Sequence, residues 1–291
     1  MVGTVVGDCL GRPMEGSREP DLAYIDEMVE RLPMLSYSDD TVMTIELAES
    51  LLECGRFDGA DMGRRFAEAW NREPHRGYGS NIGHVFSAVL RGVPWDEAAS
   101  RQFAGEGSFG NGGAMRVSPV ALWAYSDLEE TVRLAQQTSR VTHTHPVGIE
   151  GAVIQAVAVL HALRDDFDPD DLLGELDRLM RTERFRGKLA ILPTCLERGD
   201  DEYVRLHLGN WVAADKSVLT ALYAFLMADG FEDAVRRAIR LGGDTDTIGA
   251  MAAAMAGARW GHSSIPESWL GVEGSERLER IGDRLATRIG V

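Results

Sequence analysis

Two short clusters of carboxylate and hydroxyl side chains lie far apart in this sequence, and each directly precedes an apolar run. The first is SDDT (38–41), ahead of VMTIELAESLLE, and the second is DTDT (244–247), ahead of IGAMAAAMAG. Hard divalent cations such as Mg²⁺ bind oxygen ligands, and Mn²⁺ accepts the same set. If the fold brings the clusters together, their aspartates could hold two such ions, with one carboxylate bridging them.

Helix capping is the simpler explanation of each cluster. Ser, Thr and Asp side chains accept hydrogen bonds from the free N–H groups of a first helical turn, and negative charge is favourable at a helix N-terminus. The spacing of these residues alone leaves both interpretations open. Neither cluster has the glycine and terminal glutamate positions of an EF-hand calcium loop.

A glycine-rich segment and a histidine pair offer further polar contacts for a ligand. GNGGAMRVSP (110–119) has backbone that a ligand can approach closely, although a plain surface turn would look the same. It matches neither a Walker loop nor the fingerprint of a dinucleotide-binding strand and helix. In THTHP (142–146), His143 and His145 are better placed to donate hydrogen bonds to a ligand than to bind a metal, and a solvated loop is the alternative.

The segment GDCLGRPMEG (7–16) contains two acidic residues among glycines. A carboxylate on such a loop could serve as a general acid or base, with Asp8 and Glu15 as the candidates. A surface turn is the alternative interpretation. Cys9 has no basic residue nearby in the sequence that would make it a nucleophile.

Apolar residues recur with the spacing of α-helices in the elements that must position these groups. The sequence shows no alternating strand pattern and no βαβ pattern. The pattern predicts an all-α chain folded as one domain over residues 1–291. The predicted helices cover residues 41–54, 61–71, 81–91, 128–138, 148–164, 170–181, 217–228, 232–241, 247–260 and 275–288. The intervening segments 71–81, 105–119 and 139–148 are predicted to be loops.

Composition restricts the possible partners and the compartment. The 291 residues are 44% hydrophobic and 26% charged, which is typical of a globular protein. The net charge of −16 makes nucleic acid and anionic membranes poor partners. Three widely spaced cysteines form neither a disulfide framework nor a zinc site, which fits a reducing cytoplasm. No signal peptide is visible, and the most apolar segment (151–163) is too short to span a bilayer.

Taken in order, these motifs resemble one family, the ADP-ribosylglycohydrolases of the dinitrogenase-reductase-activating type. The resemblance covers nearly the whole chain. It is carried by GDCLGRPMEG, YSDDTVMTIELAESLL, RGYGSN, GNGGAMRVSP, THTHPVGIEGAVIQAVAV and GGDTDTIGAMAAAMAGA. Each motif is weak alone, but their order is specific. The resemblance implies a compact all-α, single-domain helical bundle with a central cleft that binds two Mg²⁺ or Mn²⁺ ions.

The resemblance also implies roles for individual residues. The metal ligands by motif match are Ser38, Asp39, Asp40, Asp244, Asp246 and Thr247. Ser38 replaces the threonine that is frequent in the family and keeps its hydroxyl. Among the catalytic residues, Glu15 is the candidate acid or base, and Asp39 and Asp246 are the candidates for bridging ligands. The implied substrate-binding residues are Gly77, Tyr78, Gly79, Ser108, Phe109, Gly110, Asn111, Gly112, Gly113, Met115 and His143.

Phe109 stands where the family often has a tyrosine at the adenosine end of the ligand, so stacking is kept and a hydroxyl is lost. The implied activity is metal-dependent hydrolysis of the glycosidic bond between ADP-ribose and an acceptor, in an ADP-ribosylated protein or a small conjugate. Arginine is the favoured acceptor, with serine and O-acetyl-ADP-ribose as alternatives. A metal-dependent phosphohydrolase and a non-catalytic ADP-ribose-binding protein are the competing classes. A monomer is favoured.

Overall fold

A computed structural model describes residues 1–290, which fold into α-helices and short 3-10 turns with no β-strand among them. The all-α prediction is confirmed. In chain order the helices are α1 (Val2–Gly11), α2 (Ala23–Arg31), α3 (Asp39–Cys54), α4 (Gly59–Arg72), α5 (Ile82–Leu90), α6 (Trp95–Ser100), α7 (Gly112–Met115), α8 (Ser118–Trp123), α9 (Leu128–Arg140), α10 (Pro146–Ala162), α11 (Pro169–Leu179), α12 (Glu183–Arg198), α13 (Asp201–His207), α14 (Val218–Leu226), α15 (Phe231–Arg240), α16 (Thr245–Trp260) and α17 (Ser275–Ile289).

Each of the ten helices predicted from periodicity is present, with ends within two residues of those expected. The predicted turn at residues 7–16 is wrong in its first half, because residues 7–11 complete α1 and a 3-10 turn follows over Arg12–Met14. The glycine-rich segment 110–119 is also partly helical, since it contains α7 and the start of α8. Helices α2, α6, α12 and α13 were not predicted either.

Polar side chains and glycines define the helix ends by satisfying backbone groups that have no partner inside the helix. The Asp58 carboxylate accepts hydrogen bonds from the first turn of α4, and the Thr182 hydroxyl does the same for α12. Helices α3 and α12 end at Gly55 and Gly199, whose φ angles of 68° and 61° suit glycine. These caps fix where the apolar stripes begin and end.

The centre of the protein is built on α16, whose run of alanine, glycine and methionine is buried on every side. It packs against α1, α10, α14 and α15. Its closest neighbour is α1, because Gly3, Gly7 and Gly11 face it one turn apart. A Cβ atom at Gly7 would lie 2.2 Å from the carbonyl oxygen of Gly249. The two backbones therefore touch directly, and only glycine fits between them.

No helix within residues 1–290 is both long enough and apolar enough to cross a lipid bilayer.

Candidate active site

The structure brings the two oxygen-rich clusters face to face at the N-termini of α3 and α16. Asp39 and Asp40 lie in the first turn of α3, and Asp246 lies in the first turn of α16. The Thr247 hydroxyl donates a hydrogen bond to Asp40 Oδ2 across the gap, at 3.3 Å. Residues that are far apart in the sequence thus share one site, as the cation hypothesis requires.

Side chains other than those of Asp39 and Asp40 cap the N-terminus of α3. Ser38 Oγ accepts from the Asp40 N–H at 3.2 Å. Buried Asp8, from α1, accepts from the N–H groups of Ser38 and Thr41 at 3.0 and 3.1 Å and from the Thr41 hydroxyl at 2.5 Å. Because these contacts satisfy the helix end, the side chains of Asp39 and Asp40 remain available for a ligand.

Sequence analysis did not recognise the role of Asp8, which it placed on a loop as a candidate acid or base. The carboxylate is buried in helix α1, and its hydrogen bonds hold the start of α3 in position. Burial raises its pKa, while the hydrogen bonds from Thr41 and Ser38 oppose that shift. A glycine repeat at four-residue spacing around Asp8 is the signal that would have indicated a closely packed helix here.

Glu15 joins the acidic site from the turn that follows α1. One carboxylate oxygen from each of Glu15, Asp244 and Asp246 lies within 4.8 Å of the others. The backbone after Glu15 is held on the turn that precedes α16, since the Gly16 N–H donates to the Gly243 carbonyl at 2.7 Å and the Gly243 N–H donates to the Ser17 carbonyl at 2.8 Å. Glu15 is therefore held beside Asp244 and Asp246.

The donor set fits a hard divalent cation. Asp40 Oδ1 is buried and has no hydrogen-bond partner in the described chain, which is costly for a carboxylate oxygen unless a cation lies beside it. Burial is the main cause that raises the pKa of Asp39 to about 8, with the charge of Asp8 adding to it. Burial and neighbouring carboxylates also hold the pKa values of Asp40 and Asp246 well above their usual range. Cations would relieve this repulsion.

We expect the metal-free protein to lose stability as the pH rises from about 5 to about 8, because in this window the folded state binds more protons than the unfolded chain. The reason is the raised pKa of the buried aspartates, which for Asp39 moves from 3.8 to about 8. Above that window the carboxylates are charged and repel one another. Added Mg²⁺ should then stabilise the protein more at high pH than at low pH.

Thermal unfolding in a chelator and in Mg²⁺, at a pH below and a pH above the window, measures this effect. Asp39→Asn removes one of the titrating groups, so the metal-free melting temperature of this variant should depend less on pH. A metal-free melting temperature of the parent protein that rises with pH across the window would contradict the expectation.

A cavity of about 410 Å³ extends from the acidic site. Most of the predicted substrate-binding residues line it, namely Gly77, Gly79, Ser108, Phe109, Gly110, Asn111, Gly112, Met115 and His143. Tyr78 and Gly113 do not. The Tyr78 ring packs edge to face on Phe86 with centroids 6.1 Å apart, and a Cβ atom at Gly113 would lie 2.5 Å from Ser139 Oγ. Both therefore support the wall from behind.

The glycines of the 110–113 segment make room for protein side chains as well as for a ligand. A Cβ atom at Gly112 would lie 2.6 Å from His143 Cε1, and one at Gly110 would lie 3.2 Å from His143 Nε2. The imidazole is therefore inserted against this backbone. Asn111 is also engaged, because its side-chain Nδ2 donates to Asp244 Oδ2 at 2.6 Å and to Ser217 Oγ at 3.1 Å.

A segment over residues 210–214, which sequence analysis did not identify, connects the two sides of the site. The Asn210 carbonyl accepts from the Asp244 N–H at 2.8 Å, and the Val212 carbonyl accepts from the Asn111 N–H at 2.9 Å. The Ala214 N–H donates to the Phe109 carbonyl at 3.0 Å. The segment fixes the cavity wall relative to the aspartates, and Val212 and Ala213 line the cavity.

Two aromatic side chains, Phe103 and Phe109, line the cavity. The rings of Phe103 and Phe109 lie 6.3 Å apart, and His145 contacts Phe109 edge to face at 5.7 Å. Phe103 was not predicted, since no motif contains it. His145 does not line the cavity, and its Nδ1 accepts from the Val147 N–H at the start of α10.

Comparison with known proteins identifies the family of this chain. The family model described as ADP-ribosylglycohydrolase matches residues 1–291. The protein named ADP-ribosylhydrolase ARH3 from Homo sapiens is 35% identical, over 98% of this chain and 91% of its own length. The ADP-ribosyl-[dinitrogen reductase] glycohydrolase of Rhodospirillum rubrum is 28% identical, over 92% of this chain and 87% of its own.

A solved structure described as an ADP-ribosylglycohydrolase-related protein complex superposes with a TM-score of 0.79. The match covers 99% of this chain and 95% of the other, at 29% identity. Together with the family model and the relatives, this likeness extends over nearly the whole chain. The chain belongs to the ADP-ribosylglycohydrolase family of glycohydrolase enzymes.

Proposed function

We propose that this protein hydrolyses the glycosidic bond between ADP-ribose and an acceptor with the help of two Mg²⁺ or Mn²⁺ ions. The observation that carries the proposal is the meeting of the two aspartate clusters beside a cavity, with a buried Asp40 oxygen left without a partner. The residues that would hold the ions are Ser38, Asp39, Asp40, Asp244, Asp246 and Thr247. Bound ions would supply positive charge to orient the distal ribose and to lower the pKa of water.

The protein groups around the cavity would perform the remaining tasks. Glu15 stands at the acidic site, where burial and the charge of Asp244 raise its pKa, so it is suited to exchange a proton with the leaving group or with water. Phe109 would stack on the adenine at the far end. The wall formed by Ser108, Gly110 and His143 would contact the part of ADP-ribose between these ends.

The identity of the acceptor, the group to which ADP-ribose is attached in the substrate, is a separate question. Arginine was favoured because the sequence resembles the bacterial reactivating type, yet the identity to the dinitrogen reductase glycohydrolase is 28%, compared with 35% for the human ARH3 protein. That comparison removes the reason for preferring arginine over serine or O-acetyl-ADP-ribose.

The three free cysteines fit a reducing compartment, and we propose that the protein acts in the cytoplasm. The monomeric state remains a prediction.

We expect metal-dependent release of intact ADP-ribose from at least one conjugate. The purified protein would be incubated with arginine-linked, serine-linked and O-acetyl-linked ADP-ribose, each with Mg²⁺, with Mn²⁺ and with a chelator. Mass spectrometry would identify the products. The conjugate with the highest kcat/KM identifies the preferred acceptor, because the three substrates differ only in the group attached to ADP-ribose.

Three results would contradict the proposal in different ways. Release of AMP or phosphate would indicate cleavage within the diphosphate and a phosphohydrolase. Binding of ADP-ribose without turnover of any of the three conjugates would indicate a non-catalytic binding protein. Equal rates with metal and with chelator would disprove the role assigned to the aspartates.

A further inference from the structure

Arg116 is a fully buried cation that lines the cavity without an ion-pair partner. Its guanidinium donates to the Gly112 and Thr138 carbonyls at 2.6 and 3.1 Å and to the Thr142 hydroxyl at 2.7 Å. It lies over the ring of Phe66, 4.8 Å from the centroid. No carboxylate within residues 1–290 forms a salt bridge with it. Burying a charge without an ion-pair partner costs free energy, so we infer that Arg116 has a functional role.

The contact with Thr142 determines where the hydrogen of that hydroxyl points. An arginine side chain can only donate, so Thr142 Oγ1 must accept from it. The same oxygen lies 2.7 Å from His143 Nδ1, and Thr142 is fully buried. In the described chain, Nδ1 is the one acceptor within hydrogen-bond distance of this hydroxyl. A buried O–H without an acceptor is unfavourable, so the hydroxyl donates to Nδ1.

We propose that Arg116 and Thr142 are positioning residues that hold His143 as an Nε2–H donor directed into the cavity, where it binds an oxygen of the ADP-ribose diphosphate. With Nδ1 accepting from Thr142, the ring hydrogen of neutral imidazole must be on Nε2. The identity of the ligand rests on the proposed function, whereas the tautomer follows from the protein contacts alone.

The surroundings of the imidazole support this assignment. His143 lines the cavity, and glycines at 110 and 112 leave the space that its ring occupies. Burial, with the charge of Arg116 as the second cause, lowers the pKa of His143 to about 3. The ring is therefore neutral at physiological pH, and its donor does not depend on protonation.

Charge explains why the ligand oxygen belongs to the diphosphate. The acidic residues that line the cavity are Glu15, Asp39, Asp40, Asp244 and Asp246, and Arg116 is the one arginine or lysine among the lining residues described. Two divalent cations would still leave these five carboxylates with an excess of negative charge, so the aspartate end does not attract a dianionic ligand. The Arg116 side of the cavity combines a buried positive charge with an N–H donor, which is the environment that phosphate oxygens prefer.

Imidazole ¹⁵N NMR of the Mg²⁺-loaded protein, labelled at histidine, tests the tautomer directly. The His143 signals would be assigned by their loss in His143→Gln. We expect Nδ1 to show the shift of an unprotonated nitrogen and Nε2 that of a protonated one. Thr142→Val keeps the shape and removes the hydroxyl, so the two tautomers should mix. Thr142→Ser, the matched control, should restore the parent pattern.

The same variants report on the ligand. We expect Thr142→Val to weaken ADP-ribose binding about tenfold, as for the loss of one well-oriented hydrogen bond to a charged group, and Thr142→Ser to bind like the parent. A protonated Nδ1 in the parent protein overturns the proposal even if Thr142→Val does not fold. Unchanged tautomer and affinity in a folded Thr142→Val overturn it as well. If the parent shows the expected tautomer but binds no ADP-ribose, the assigned ligand and the proposed function fail, while the tautomer stands.

Discussion

Replacing Asp246 with asparagine should lower kcat/KM by about a thousandfold or more, because stabilisation by the metal ions is worth several kcal/mol and each 1.36 kcal/mol is tenfold. One carboxylate oxygen of Asp246 lies within 4.8 Å of an oxygen of Glu15 and of an oxygen of Asp244. Asparagine keeps the shape and loses the charge. The ions would then lack a central anionic ligand, and affinity for Mn²⁺ measured by calorimetry should fall together with turnover.

The same variant should remain folded and should be at least as stable as the parent in a chelator. Burial and the charges of Asp40 and Asp244 raise the pKa of Asp246, which shows that its ionised form is unfavourable in the metal-free protein. Removing that charge removes repulsion. Added metal should therefore stabilise the parent and leave the variant nearly unchanged.

Asp177→Asn provides the matched control, because Asp177 is exposed on α11, away from the cavity. It should keep the turnover and the metal-dependent stabilisation of the parent. Retention of both properties by Asp246→Asn would show that the ions, if any, bind elsewhere. Loss of folding in the chelator would show that Asp246 has a structural role instead.

Replacing Gly7 with alanine should strongly destabilise the protein. The new Cβ atom would lie 2.2 Å from the Gly249 carbonyl oxygen and 2.7 Å from Ala253 Cβ. Both contacts lie on the buried face of α16, so the helices must separate. Overpacking typically costs 1–3 kcal/mol, and for a backbone collision we expect about 3 kcal/mol, or a melting temperature lower by roughly 6–12 °C.

The displacement should also weaken metal binding, because Asp8 directly follows Gly7 and caps the helix that carries Asp39 and Asp40. Gly174→Ala is the control: it adds the same methyl group within α11, where nothing lies within 4 Å of the new atom. Alanine favours helix over glycine, so this variant should melt at the same temperature as the parent or higher. Equal melting temperatures for Gly7→Ala and the parent would refute the close packing of α1 and α16.

Much of the helical framework is predictable from the sequence, because an amphipathic stripe with a polar cap is a local signal. Helix α4 illustrates this, with Asp58 at its start and Phe66 buried on its inner face. Helix α1 was missed because its glycines have low intrinsic helix propensity and were taken as a turn. Its stability comes from contact with α16, which is distant in the sequence, and the four-residue spacing of Gly3, Gly7 and Gly11 is the local sign of that contact.

Some residues of the candidate site were likewise predictable from the sequence, and others were not. The two aspartate clusters are visible in the sequence, because several neighbouring oxygen ligands exceed what a cap needs. Phe103 and the 210–214 segment were missed, and Asp8 was assigned the wrong role, since each acts through contacts that form only in the folded chain. Tyr78 lies in the expected motif and yet packs against Phe86, because position in a motif does not determine side-chain direction.

The close contact between α1 and α16 has a consequence for biosynthesis. The Thr245 hydroxyl donates to the Gly11 carbonyl at 2.8 Å, so α1 pairs with a segment that leaves the ribosome 234 residues later. At a translation rate of 5–20 residues per second, the glycine face of α1 remains without this partner for roughly 12–50 s. Such distant pairings also slow folding. Nascent chains should therefore lack hydrolase activity until translation has passed α16, and premature termination before that point should yield inactive protein.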